Sequence, residues 1–346
     1  MIYRQVYLES MGYELPPERL SSADLEAMLA PAYERLHLPP GRLELMTGIK
    51  ERRFWTPGTM PSQGAILAGK KALANSRIPR EKIGCLINCS VSRDFLEPAT
   101  ATVVHAGLEL PQDALVFDLS NACLGILSGI VILANLIETG RITAGILVAG
   151  ENGRSLVEST IKAINDNPTL TRQTVKPYFA SLTIGSGAAA IIMGNADFGG
   201  HRLTAEASLA ATQYNHLCRG SADRSMEDGA PIMMNTDSEA LLHAGVDTAG
   251  RTWQAFQKES GLTAETLDCI CTHQVGSAHK RLLFEQLGLD PLKDFANLET
   301  MGNVGSVSCP MAMMMAAEAG RLSKGSRLAL LGIGSGINCT MLGVEW

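Results

Sequence analysis

Cys123 lies in the stretch "DLSNACLGILSG", residues 118–129, between the strand-like run Ala114-Leu115-Val116-Phe117 and an almost wholly apolar run from Leu124 to Leu136. A cysteine at the start of a helix faces unpaired backbone N–H groups and the positive end of the helix dipole. Both favour thiolate over thiol. The competing reading is a small buried core residue, the common fate of a free cysteine. His273 ends the strand-like run "CICTH", Asn303 sits among glycines in "MGNVG", and Glu97 precedes a proline in "FLEP". A nucleophilic thiol, a proton-carrying imidazole, a hydrogen-bonding amide and a carboxylate base are the groups that acyl transfer uses. Taken singly, Asn303 also fits an ordinary turn and Glu97 a solvated loop. Leu96 and Pro98 around Glu97 equally suit a partly desolvated carboxylate with a raised pKa.

Other stretches offer chemistry less convincingly. Cys269, Cys271 and His273 alternate along one strand and so share a face. Three ligands from one extended strand do not wrap a tetrahedral zinc, and the C-x-x-C spacing is missing, so no metal is expected. His279 reads as a surface residue. The glycine-rich "LLGIGSGIN", residues 330–338, is followed by another strand-like run rather than a helix. It therefore reads as a tight turn able to present a backbone N–H to an oxyanion, not as a phosphate loop. Met311, Met313, Met314 and Met315 read as helix core. Lys50, Arg52 and Arg53 read as a solvated surface, with phosphate binding as the alternative.

These residues need elements to hold them. Strand-like and helix-like segments alternate throughout, which is the pattern of an α/β protein. The chain also repeats itself. "AILAGKKALANSRIPREKIGCLINCS" and "TAGRTWQAFQKESGLTAETLDCICTH" share a helix–turn–strand layout, aligning Cys85 with Cys269 and Cys89 with His273. Cys123 to Arg141 and Asn303 to Arg321 each span 18 positions, with a small-residue apolar helix between. This spacing predicts that Cys123 and Asn303 are equivalent positions at the starts of two central helices, buried on all sides. The repeat boundary is expected near residues 176–182, with "SLTIGSGAAAIIMG" opening the second half; the halves are then 1–178 and 179–346. Ligands of open α/β sheets gather at the carboxyl ends of strands, which would bring Cys123, His273 and Asn303 to one cleft.

Composition narrows the function. Aromatic residues are 5% of the chain and the net charge is −6, so neither nucleic acid nor an anionic membrane is an expected partner. Eight cysteines in 346 residues, mostly inside apolar stretches, fit a reducing compartment better than a disulfide framework. No signal-peptide pattern opens the chain and no apolar run is long enough to span a membrane, so the cytoplasm is the expected location.

With "TGIKERRF" from Thr47, "NACLGILSG" around Cys123, "HQVG" at His273, "GNVGSVSCP" at Asn303 and the terminal "GIGSGIN", the chain resembles the thiolase superfamily in its β-ketoacyl-ACP synthase III branch. "LINCSVSRDFLEPATA" and "NHLCRG" are most similar to the OleA-type, head-to-head acyl-CoA condensing enzymes of that branch. The resemblance implies a five-layered αβαβα fold, a homodimer, acyl-CoA or acyl carrier protein as donor, and no cofactor. It implies a nucleophile at Cys123, and backbone N–H groups of Cys123 and Ser335 as the oxyanion hole. His273 and Asn303 would hold the second thioester oxygen, and Glu97 would reach the partner's site as the base. Residues 154–180 would cap the acyl channel. His273-Gln274-Val275-Gly276 departs from the "HQAN" of the decarboxylating synthases. The alternatives are decarboxylative condensation with malonyl-ACP, acyl transfer to an oxygen or nitrogen nucleophile, and a non-catalytic acyl-binding partner of another synthase.

Overall fold

The computed structural model describes residues 1–220, 233–273 and 275–346. Five strands make the sheet of the first half: β1 (Tyr7–Glu14), β4 (Ile83–Asn88), β5 (Leu115–Asp118), β6 (Ala144–Glu151) and β7 (Gly187–Gly194). Their order is β1-β7-β6-β4-β5. The second half uses β8 (His201–Ala210), β11 (Cys269–Thr272), β12 (Arg327–Gly334) and β13 (Asn338–Glu345) in the order β8-β13-β12-β11. The two half-sheets join where Tyr7 and Leu8 of β1 pair with Arg202 and His201 of β8.

Alternation along the strands explains the layering, because successive side chains face opposite sides of a sheet. In β7, Ala189, Ile191 and Met193 enter the central core, whereas Ala188, Ala190 and Ile192 enter an outer one. In β12, Leu328 and Leu330 point inward, and Ala329 and Leu331 outward. Strands apolar on both faces must be covered on both faces. Helices Gly125–Glu138 and Ser308–Glu318 fill the centre, the latter with Met311, Met313 and Met314 buried. Helices Pro61–Asn75 and Thr100–Gly107 cover one outside, and Ser238–Ser260 and Ser277–Leu287 the other. The layers are therefore αβαβα.

The halves correspond strand by strand. The Cys89 N–H donates to Val148 O (2.7 Å), as the His273 N–H donates to Leu331 O (2.9 Å), so Cys89 and His273 are structural counterparts. β5 has its counterpart in a single bridge, Ile270 to Asp294. Two expectations need correction. β7 pairs antiparallel with both β1 and β6, so it closes the first half rather than opening the second. The second half begins with β8, and the boundary lies after residue 194, not at 178/179. Nor is Cys123 the counterpart of Asn303. The turn Ala122–Leu124 matches Gly305–Val307: Ala122 and Gly305 have φ of 45° and 58°. Leu124 (−98°, 6°) matches Val307 (−90°, −8°), and Gly125 (−47°, −56°) matches Ser308 (−53°, −58°). Cys123 thus corresponds to Ser306. The first central helix has 14 residues and the second 11, so counting back from the shared Gly-Arg ends slips by three.

Residues 154–180 do not form a cap by themselves. Val157, Ile161, Ile164, Leu170, Val175 and Phe179 share an apolar cluster with Leu25, Leu29, Tyr33 and Leu43 from the N-terminal helices.

Candidate active site

Cys123 sits in a single 3-10 turn that delivers the chain into the first central helix. Asn121 fastens this turn on two sides. Its amide nitrogen donates to Ser128 Oγ (2.8 Å), and its Oδ1 accepts from Asn338 Nδ2 (3.2 Å). Asn121 and Asn338 lie in the stretches "NACLGILSG" and "GIGSGIN", and their bond to each other across 217 positions exists only in the fold. The β12–β13 turn passes directly over the thiol. Gly336 (φ 81°) and Ile337 (φ 53°) both take the left-handed conformation there, and Ile337 is buried, so the surroundings enforce a strained backbone. The backbone N–H groups of Cys123 and Ser335 face the Cys123 sulfur closely enough to favour its thiolate. These are the two amides that the resemblance named for an oxyanion hole.

The electrostatics differ from the expectation of a ready thiolate. Burial pushes the Cys123 thiol up to about 12; the negative charge of Glu151 and the Cys218 thiol push the same way, against the two backbone N–H groups. Desolvation outweighs the helix-terminus amides here, and the resting group is the thiol. His273 is buried at the end of β11, and burial first, then His279, lowers its pKa to about 3. It is therefore a neutral imidazole near pH 7, able to carry a proton but not resting as a cation. Its Nδ1 has no hydrogen-bond partner among the described residues. A thiol held this high requires a neutral acceptor to ionise.

Asn303 is buried and held at three points. Its N–H donates to Thr183 O (2.9 Å), its carbonyl accepts from Gly185 N–H (2.8 Å), and its Oδ1 accepts from Gly305 N–H (3.0 Å). With Oδ1 occupied, the NH2 end remains to donate to a substrate oxygen. The preceding Gly302 (φ 66°) admits no side chain, since a Cβ would lie 2.7 Å from Thr183 O. The turn after Asn303 packs against the turn that carries Cys123. Beside His273 opens a cavity of about 140 Å³, lined also by Val275, His279, Lys280, Leu283 and Leu298. His279 thus belongs to this wall and is half-buried; burial lowers its pKa to about 4.

Glu97 is not brought to this centre within the chain. It is exposed, and it is not among the charges that bear on Cys123. Its neighbours Phe95 and Leu96 are 48% and 61% exposed. The cluster Lys50, Arg52 and Arg53 is not a phosphate patch. Arg52 is 1% exposed and donates to Ser22 Oγ (3.0 Å), and Lys50 pairs with Glu299 (2.5 Å). Among the described residues no group of three or more His, Cys, Asp or Glu side chains is arranged to hold a metal ion. No described helix is long and apolar enough to cross a membrane.

Two residues near the thiol were given no role of their own from the sequence. Cys218, in the short strand β9 (Cys218–Gly220), accepts hydrogen bonds at 3.4 Å from both Ser335 Oγ and Thr236 Oγ1. Glu151, at the end of β6, is a buried carboxylate inside an otherwise apolar strand. Its single charge after "AGILVAG" was the available signal.

Residues 257–346 match the family described as 3-oxoacyl-[acyl-carrier-protein (ACP)] synthase III C terminal. An acyl-CoA:acyl-CoA alkyltransferase of Shewanella oneidensis is 39% identical over 351 residues, covering 100% of both chains. A β-ketoacyl-[acyl-carrier-protein] synthase III of Koribacter versatilis is 26% identical, over 99% of this chain and 98% of its own. The crystal structure of cerulenin-bound OleA from Xanthomonas campestris superposes with a TM-score of 0.94 at 36% identity, covering 100% of this chain and 98% of that one. The same likeness extends to variants of that enzyme with a cysteine, a glutamate or a histidine replaced. The replaced glutamate and cysteine stand as many residues apart there as Glu97 and Cys123 do here.

Proposed function

The chain belongs to the family of acyl-CoA:acyl-CoA alkyltransferases, and on that premise we propose that it joins two fatty acyl-CoA molecules head to head through an acyl-Cys123 intermediate. It is an acyltransferase. The observation that carries the reading is the whole-chain likeness to acyl-CoA:acyl-CoA alkyltransferases, supported by a thiol set at the start of a central helix where the Cys123 and Ser335 N–H groups favour its thiolate and would hold the oxyanion of thioester attack.

In the first half-reaction the Cys123 proton passes to His273 and the thiolate attacks the thioester carbonyl. The bond to the CoA sulfur breaks, and the departing CoA thiolate recovers the proton. The acyl chain remains on Cys123. In the second, the neutral His273 imidazole and the Asn303 NH2 hold the carbonyl oxygen of another acyl-CoA. A carboxylate takes the α-proton, the enolate carbon attacks the acyl-cysteine, the Cys123 thiolate leaves, and the proton held by the carboxyl group returns to it. The product is a 2-alkyl-3-oxoacyl-CoA. No redox change occurs, and no cofactor is needed.

The carboxylate in this reading is Glu97 from a second copy of the chain. Its exposure on a loop beside exposed Phe95 and Leu96 supports a homodimer that covers this loop. A base is the mechanistic divide from the decarboxylative reading, in which loss of CO2 from malonyl-ACP generates the carbanion by itself. The match of residues 257–346 favours that second reading, but the whole-chain identity favours the first. The test is CoA release from purified protein and long-chain acyl-CoA alone, with mass spectrometry of the product. Continuous release with a product bearing both chains is expected. A single burst that resumes only with malonyl-ACP would replace this reading with the decarboxylative one.

A further inference from the structure

Glu151 has no part in the chemistry above, yet it is the most heavily hydrogen-bonded buried carboxylate near the thiol. It is 5% exposed. Its Oε1 accepts from Val91 N–H (2.9 Å), Ser306 Oγ (2.6 Å) and Ser306 N–H (3.4 Å). Its Oε2 accepts from Ser92 N–H (3.1 Å) and Ser92 Oγ (3.0 Å). Three backbone N–H groups and two hydroxyls thus converge on this one carboxylate.

The partners belong to two elements that carry proposed site residues. Val91 and Ser92 begin the loop that runs to Glu97. The far end of that loop is fastened at Thr100 and Ala101, whose N–H groups donate to Asp118 at 3.0 and 2.8 Å. Ser306 lies in the turn after Asn303, and the intervening Gly305 N–H is the group that holds Asn303 Oδ1. Gly305 (φ 58°) also lets this carboxylate approach, since a Cβ there would meet Glu151 Cδ at 3.2 Å.

The two-fold repeat sharpens the assignment. Ser306 is the counterpart of Cys123, and Gly334, ending β12, is the counterpart of Glu151, ending β6. At one of these two equivalent junctions a first-half carboxylate sits on a second-half serine; at the other a first-half thiol lies beneath a glycine-flanked second-half turn.

We propose that Glu151 is a positioning residue for condensation, locking the loop that presents Glu97 to the turn that orients Asn303. The proposal rests on the head-to-head reading for the roles of Glu97 and Asn303. Glu151 also places a negative charge near Cys123, where the other titratable group that bears on the sulfur is Cys218. It therefore opposes thiolate formation until substrate and His273 remove the proton.

The test compares wild type with Glu151→Gln, Glu151→Asp and Ser306→Ala on long-chain acyl-CoA. Three quantities are read: the acylation burst of CoA, the steady yield of two-chain product, and the pH profile of Cys123 alkylation by iodoacetamide, located by peptide mass spectrometry. Glu151→Gln should keep the burst and lower condensation by about 100-fold, the cost of an ångström-scale misplacement. Its alkylation profile should move to lower pH, because a like charge is gone. Glu151→Asp should keep the wild-type profile, and Ser306→Ala should lower condensation without moving it. An unmoved profile in Glu151→Gln, or a wild-type ratio of condensation to acylation, overturns the proposal. If Glu151→Gln does not fold, Ser306→Ala and Ser92→Ala decide, and wild-type ratios in both overturn it. A wild type that makes no two-chain product defeats the head-to-head reading instead, and the alkylation profile still judges Glu151.

Discussion

Gly125 sits two residues after Cys123, at the first position of the central helix, and Gly125→Ala is the sharpest probe of how the nucleophile is placed. A Cβ at this position would overlap the carbonyl oxygen of Cys89 and lie 2.9 Å from its carbonyl carbon. Carbon atoms rest about 3.5–4.0 Å apart, so the helix start or the end of β4 must retreat by roughly 1 Å. The obstacle is backbone, hydrogen-bonded in turn to Val148 O at 2.7 Å, and no side-chain rotation relieves it. Overpacking of this kind costs about 1–3 kcal/mol of stability, which a protein of this size survives. Displacing the thiol by 1 Å from the Ser335 N–H should lower the acylation rate by about 100-fold. The assay is the burst of CoA on mixing with acyl-CoA, with thermal unfolding as the control for folding. Gly129→Ala is the comparison, because its Cβ would meet movable side-chain atoms, Cys89 Sγ at 2.7 Å and Leu147 Cδ2 at 3.0 Å. A folded Gly125→Ala that acylates at the wild-type rate would refute the placement of Cys123 by backbone contact.

Glu97→Ala should leave the acylation burst intact and lower two-chain product by about 10²–10⁴-fold, the usual contribution of a general base; equal loss of both steps would remove that role. Asn121→Ala severs the bonds to Ser128 and Asn338, each worth about 1 kcal/mol, and should slow acylation several-fold with little effect on condensation of pre-acylated enzyme. His273 makes a prediction about pH. Its folded pKa of about 3 lies below the unfolded ~6.5, so below pH 6.5 the unfolded chain binds a proton that the folded chain refuses. Its contribution is whole above pH 6.5 and is lost as pH falls towards 3, at up to about 1.4 kcal/mol per unit. Urea unfolding of His273→Gln across that range should show a shallower decline than wild type, and parallel curves would contradict a buried neutral imidazole.

Much of this protein is written in its one-dimensional order. The alternation of apolar strands and small-residue helices settles the α/β class, since strands apolar on both faces leave no option but helices on both sides. The internal repeat places Cys89 opposite His273, because strand registers carry over residue by residue. A lone cysteine between a strand and an apolar helix, set beside the other quoted stretches, suffices to point to the family. The repeat misleads where helix lengths differ: three extra residues in the first central helix turn the true pairing of Cys123 with Ser306 into an apparent pairing with Asn303. The half boundary misleads similarly, because an isolated strand such as β7 does not reveal which neighbours it will pair with. The resting state of Cys123 is decided by tertiary structure alone. Dipole and amides are local and visible in the sequence, whereas desolvation and the charge of Glu151 arise only when distant segments close over the thiol. Glu151 itself, tied to residues 60 positions before it and 155 after it, is a site residue only in three dimensions.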